Sequence, residues 1–99
     1  MQPDEAMSIS TDDLLSERGS RYGKFADLSR VAQGLKEVVY THLETVSKVD
    51  MEADQLEALD MIFNKIGRIV NGDPDYSDSW HDIAGYAKLV ADRLDGVEW

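Results

Sequence analysis

Three long stretches of the chain repeat apolar residues at three- and four-residue steps. No stretch alternates them residue by residue, so the pattern calls for helices and no sheet. Phe25, Leu28, Val31, Ala32, Leu35, Val38, Val39, Leu43 and Val46 form the first stripe, which ends near Ser47. A second runs from about Met51 to Val70 through Leu56, Leu59, Ile62, Phe63, Ile66 and Ile69. Asn71-Gly72 is a stop signal, and Pro74 prevents continuation. The third carries Trp80, Ile83, Ala84, Ala87, Val90 and Leu94, with Ser77 or Asp78 as its cap and Gly96 as its close. Gly34 costs the first stripe about 1 kcal/mol relative to Ala, and predicts a close helix crossing there. Upstream, Ser10 and Thr11 precede Asp12 and Asp13, which predicts a short helix from Asp12 to Arg18, stopped by Gly19. The Gly19-Ser20-Arg21-Tyr22-Gly23 stretch reads as a loop and residues 1–9 as a flexible tail. The expectation is an all-α small helical bundle, three main helices plus a short N-terminal one, in a single domain over residues 10–99.

A chain of 99 residues buries little apolar surface by itself. The wide first stripe therefore predicts pairing with another copy, a homo-oligomer. The absence of cysteine excludes a disulfide framework, a thiolate zinc site and a cysteine nucleophile. No apolar run approaches the roughly 20 residues that span a bilayer, and no signal-peptide order opens the sequence, so a cytoplasmic protein without membrane contact is expected.

Ten Lys and Arg face twenty Asp and Glu, a net charge of −10. A field of that sign repels phosphate backbones, which argues against non-specific nucleic-acid binding. Three readings of the acidity stay open: a solvated surface, an array for a divalent metal, or a nucleic-acid mimic aimed at a basic partner.

Some acids are spaced for chemistry. Glu57 and Asp60 share a face of the second long helix, and Asn64 continues it one turn on. Asp78 and Asp82 share a side of the third. If the two pairs face each other, several hard oxygen ligands converge, which suits Mg²⁺ or Mn²⁺, and Lys65 and Arg68 can take phosphate oxygens beside them. The plainer account of Asp78 is the helix dipole, worth about 0.3–1 kcal/mol, and of Glu57 and Asp60 a solvated surface. Asp73-x-Asp75-x-Ser77 opens like an EF-hand but has Asp78 at its glycine position and Ala84 at its bidentate glutamate, which rules out calcium binding of that type. His42 and His81 are too few and too far apart for zinc. Arg21-Tyr22-Gly23 lies outside every apolar stripe, and an arginine beside an aromatic can hold a phosphate and stack on a base.

Glu57-x-x-Asp60, followed by Asp78-Ser79-x-x-Asp82, resembles the paired acidic motifs of the MazG-like all-α nucleotide pyrophosphohydrolases. Leu56 stands where that group has its first acid, and Ser79 where it has the acid of the second motif. From about Leu14 to Leu94 the chain is also similar to a small family of phage and prophage proteins. That likeness rests on Glu-Arg-Gly-Ser-Arg-Tyr-Gly (17 to 23), Glu57-Ala58-Leu59-Asp60-Met61-Ile62, Lys65-Ile66-x-Arg68-Ile69, Asn71-Gly72-Asp73-Pro74 and Asp78-Ser79-Trp80-His81-Asp82-Ile83. The resemblance implies an oligomeric helical bundle in a bacterial host cell that binds a nucleotide with Mg²⁺. It also implies attack of a metal-activated water on a nucleoside triphosphate, releasing pyrophosphate. Carried over, Glu57, Asp60 and Asp82 are the catalytic acids and, with Asp78, the metal ligands. Lys65 and Arg68 then meet phosphate, and Arg21 with Tyr22 or Trp80 meets the base. The competing expectation is a non-enzymatic acidic phage protein that occupies a basic surface of a host protein.

Overall fold

The computed structural model describes residues 10–99, so the expected tail at 1–9 lies outside the described residues. Four helices follow in order: α1 (Thr11–Tyr22), α2 (Phe25–His42, extended by a π-turn over Leu43–Ser47), α3 (Ala53–Asn71) and α4 (Ser77–Leu94). The all-α class is as the periodicity requires. Among the described residues, α2 and α4 each pack on α3 and not on each other. The architecture is thus an open layer with α3 at its centre and α1 laid across one end.

Local chemistry sets the boundaries. Ser10 caps α1 by accepting from the backbone N–H of Asp13. Glu52 and Gln55 form a reciprocal capping box that starts α3. Lys48 takes the left-handed conformation that ends the π-turn. Gly96 closes α4 as expected, its N–H donating to the Arg93 carbonyl while Val97 N–H reaches back to Asp92.

Two expectations need correction. Helix α1 does not stop at Gly19 but continues to Tyr22, and Gly23 ends it with φ of 75°. A glycine inside a helix costs only about 1 kcal/mol, and tertiary contacts made by Arg21 and Tyr22, described below, outweigh that. Gly34 marks no crossing, since its Cβ position faces open space. The close approach is at Gly67, where a Cβ would sit 2.8 Å from the Leu28 carbonyl oxygen, so α3 needs glycine to lie against α2.

The core is thin. Leu28, Ala32, Ala58, Phe63 and Ile69 are its buried apolar residues, and no described side chain is fully enclosed. Several positions expected in the stripes are exposed instead, among them Phe25, Val38, Val46, Val70, Trp80 and Leu94. The reason is geometric: an open layer covers each flanking helix on one side only.

Candidate functional site

Four residues of α1, Leu15, Arg18, Gly19 and Tyr22, recur at three- and four-residue steps and so point the same way. No residue of α1 is buried, although Tyr22 meets Arg68 of α3. The four line a cleft of about 600 Å³ together with Lys24, Phe25 and Leu28 of the α2 start and Asn64 and Arg68 of α3. That volume lies within the range of small-molecule sites.

The turn between α1 and α2 that shapes this cleft is pinned from outside. The Asn71 side-chain amide donates to the carbonyls of Tyr22 and Lys24 at 3.0 and 3.2 Å. The N–H of Asp73 donates to the Arg21 carbonyl at 2.7 Å. Gly72 lies so close that a Cβ there would collide with the Arg21 carbonyl oxygen and the Tyr22 backbone. The Asn71-Gly72-Asp73 motif is therefore both a helix stop and the clamp on the cleft's turn.

Aromatic stacking completes the clamp. The Arg68 guanidinium lies 4.3 Å from the centre of the Tyr22 ring, and that of Arg21 lies 4.3 Å from the centre of the Tyr76 ring. The two tyrosine rings are 6.2 Å apart and tilted. Such contacts contribute about 0.5–1 kcal/mol each at exposed sites, and they fix Tyr22 and Arg68 in the cleft wall.

Charge sorts sharply. Among the described residues the cleft is lined by Arg18, Lys24 and Arg68 and by no carboxylate, in a chain of net charge −10. Two aromatic residues, Tyr22 and Phe25, line it as well, and Phe25 is 76% exposed.

The expected acids sit elsewhere and are largely engaged. Asp60 accepts a 2.5 Å hydrogen bond from the Tyr40 hydroxyl. That bond, with burial and the charges of Asp60 and Glu57, pushes the Tyr40 phenol up to about 12. Asp82 faces the ammonium of Lys65 at 3.3 Å across the α3–α4 contact, and Lys65 is only 7% exposed. Asp54 pairs with Arg93 on the same side of α3, and the Arg93 guanidinium holds its carboxyl below the usual range. Glu57 is exposed, and Asp78 is an exposed first-turn acid of α4. Among the described residues no three of His, Asp or Glu form a group that would hold a metal ion. Glu57, Asp60, Asp78 and Asp82 thus form no such group among the described residues.

Of the residues expected to meet a nucleotide, Tyr22 and Arg68 line the cleft and Arg21 braces its turn. Lys65 turns to α4 instead. Trp80 is held at the α3–α4 turn by its indole N–H donating to the Pro74 carbonyl, 54% exposed and outside the cleft lining. Leu15, Arg18, Lys24 and Tyr40 do not stand out in the sequence as site residues, Phe25 reads there as part of an apolar stripe, and Asn64, which continues the Glu57–Asp60 face, lines the cleft one turn from Arg68. Arg18 carries a signal only for an α1 that runs through Gly19.

The family model described as a domain of unknown function, DUF6378, matches residues 7–94. No curated protein and no solved structure matches the chain. Among the described residues no helix is long and apolar enough to cross a membrane.

Proposed function

The chain belongs to the DUF6378 family, and from that premise we propose that it is a nucleotide-binding protein whose ligand occupies the cleft between α1, α2 and α3. The observation that carries this reading is the cationic and aromatic lining of that cleft, free of carboxylates among the described residues, in a strongly acidic chain. A ring system inserts between Tyr22 and Phe25, and the anionic end meets guanidinium and ammonium groups. The resemblance of the acidic motifs to MazG-like proteins supports the same ligand class. Hydrolysis through a resident Mg²⁺ is not part of the reading. Asp60 is engaged by Tyr40, Asp82 is engaged by Lys65, and among the described residues no three of the acids gather at one point.

The remaining surface supports self-association. A domain is ordinarily built from two packed layers, and this chain supplies one. Leu59, Ile62, Ile66 and Val70 follow one another at helical steps on the side of α3 opposite Glu57, Asp60, Asn64 and Arg68. Exposed apolar residues on all three long helices, Val38, Val70 and Leu94 among them, give a second copy a face to cover. Light scattering should return a mass above 11.1 kDa, and Val70→Glu should return it to the monomer.

Saturation-transfer NMR with the common ribonucleotides tests the binding reading. Aromatic protons of at least one base should receive saturation at millimolar concentration, and Tyr22→Ala should remove the effect. Silence from the wild-type protein with every nucleotide would end it.

A further inference from the structure

The distribution of cations narrows the ligand class further, on the premise that the cleft binds nucleotides. The chain has ten Lys and Arg. Arg30, Lys65, Lys88 and Arg93 are paired with carboxylates, and all four lie away from the cleft. Arg18, Arg21, Lys24 and Arg68 gather at the α1–α2 turn, and none of them has a carboxylate within ion-pair distance among the described residues. Two of these are committed to the clamp, Arg68 over Tyr22 and Arg21 over Tyr76. Arg18 and Lys24 remain, both exposed and both lining the cleft, one from α1 and one from the residue before α2.

Each of the two elements thus brings one ring and one cation free of the clamp to the cleft: Tyr22 with Arg18 from α1, Phe25 with Lys24 from the start of α2. Two cations balance a single terminal phosphate, which carries about −1.5 to −2 at neutral pH. With Arg68 held against Tyr22, a longer phosphate chain adds negative charge beyond what Arg18 and Lys24 balance, inside a molecule whose own field is already repulsive. A divalent ion would normally offset that charge with the help of one or two carboxylates, and among the described residues the cleft lining has none. We propose that the cleft selects a nucleoside monophosphate and binds it without a divalent metal, the phosphate held between Arg18 and Lys24 and the base between Tyr22 and Phe25.

Titration calorimetry on the full chain tests this with nucleosides, monophosphates and triphosphates of the same base, each with EDTA and with Mg²⁺. The monophosphate should bind at least tenfold tighter than the nucleoside. Its Kd should change less than twofold with Mg²⁺, and it should bind tighter than the triphosphate in both buffers. In Arg18→Gln/Lys24→Gln the monophosphate should fall to the affinity of the nucleoside, whose own binding persists. A triphosphate that binds as tightly as the monophosphate, or tighter, with or without Mg²⁺, overturns the proposal and leaves the nucleotide-binding reading standing. A double variant that keeps the monophosphate preference also overturns it. Failure of every nucleotide and nucleoside to bind removes both.

Discussion

The two flanks of α3 use charge in opposite ways. Toward α4, opposite charges meet across the helix contact: Lys65 with Asp82 and Asp54 with Arg93. Toward α1, cations lie against tyrosine rings or at the cleft and meet no carboxylate. Two acids of the spacing that resembles a metal motif, Asp60 and Asp82, therefore join helices, while Arg18, Lys24 and Arg68 line the surface open to a ligand. A charge already satisfied within the fold has less to offer a partner, and that separates the two flanks.

The largest expected effect attacks the element that makes the cleft flank possible. Gly72→Val forces a side chain into the Arg21 carbonyl and Tyr22 backbone, so the α3 end and the α1–α2 turn must separate. We expect a loss of about 3 kcal/mol or more in urea unfolding, at the severe end for single substitutions. The matched change, in the helix that leads into that turn, is Gly19→Ala, where a Cβ meets nothing within 4 Å. Inside a helix that change should gain about 0.5–1 kcal/mol. Equal effects from the two would show that the turn is not clamped as described.

The α4 flank has an asymmetry of its own. Lys65 is 7% exposed, whereas the side chain of Asp82 is 46% exposed. Asp82→Asn leaves a buried ammonium facing a neutral amide and should cost about 1–3 kcal/mol. Lys65→Met keeps the volume and leaves a carboxylate that water can reach, so it should cost less, under about 1.5 kcal/mol. Urea denaturation of the two variants gives the ordering. A milder Asp82→Asn would mean that the acid serves something other than Lys65, and the contrast between the flanks would blur.

The helices were legible because burial on α3 follows a period that the sequence displays. Phe63 and Ile69 are buried as their stripe predicts, and Gly96 closes α4 through the bonds expected of it. Phe25 and Trp80 misled because periodicity tells which residues share a face but not whether another helix covers that face. The site was half legible. Arg21, Tyr22 and Arg68 stand out by type and neighbour. Their joining depends on Asn71 reaching residues 22 and 24, separated by 49 and 47 positions, and no local pattern reports such a contact. The acids misled for a related reason: spacing along one helix cannot say whether Asp82 will meet a metal or Lys65.

The smallest effect concerns Tyr40 and Asp60, where the acid side is most open to a different account. The phenol ionises near 12 instead of the usual 10 because it donates to Asp60 beside the charge of Glu57. A folded-state value above the unfolded one means that the folded chain holds this proton more tightly. The associated stability is whole below pH 10 and is lost as pH rises through 12. Spectrophotometric titration should show one of the four tyrosines ionising late, and Asp60→Asn should bring it back toward 10. Tyr40→Phe should cost about 1 kcal/mol at neutral pH. At pH 7, NMR signals of the Tyr40 ring should stay in place as Mg²⁺ is added to several millimolar. Saturable movement of those signals, without nucleotide present, would mean that Asp60 exchanges its hydroxyl partner for a metal. The two flanks of α3 would then both be ligand sites, and the division of labour drawn from their charges would fail.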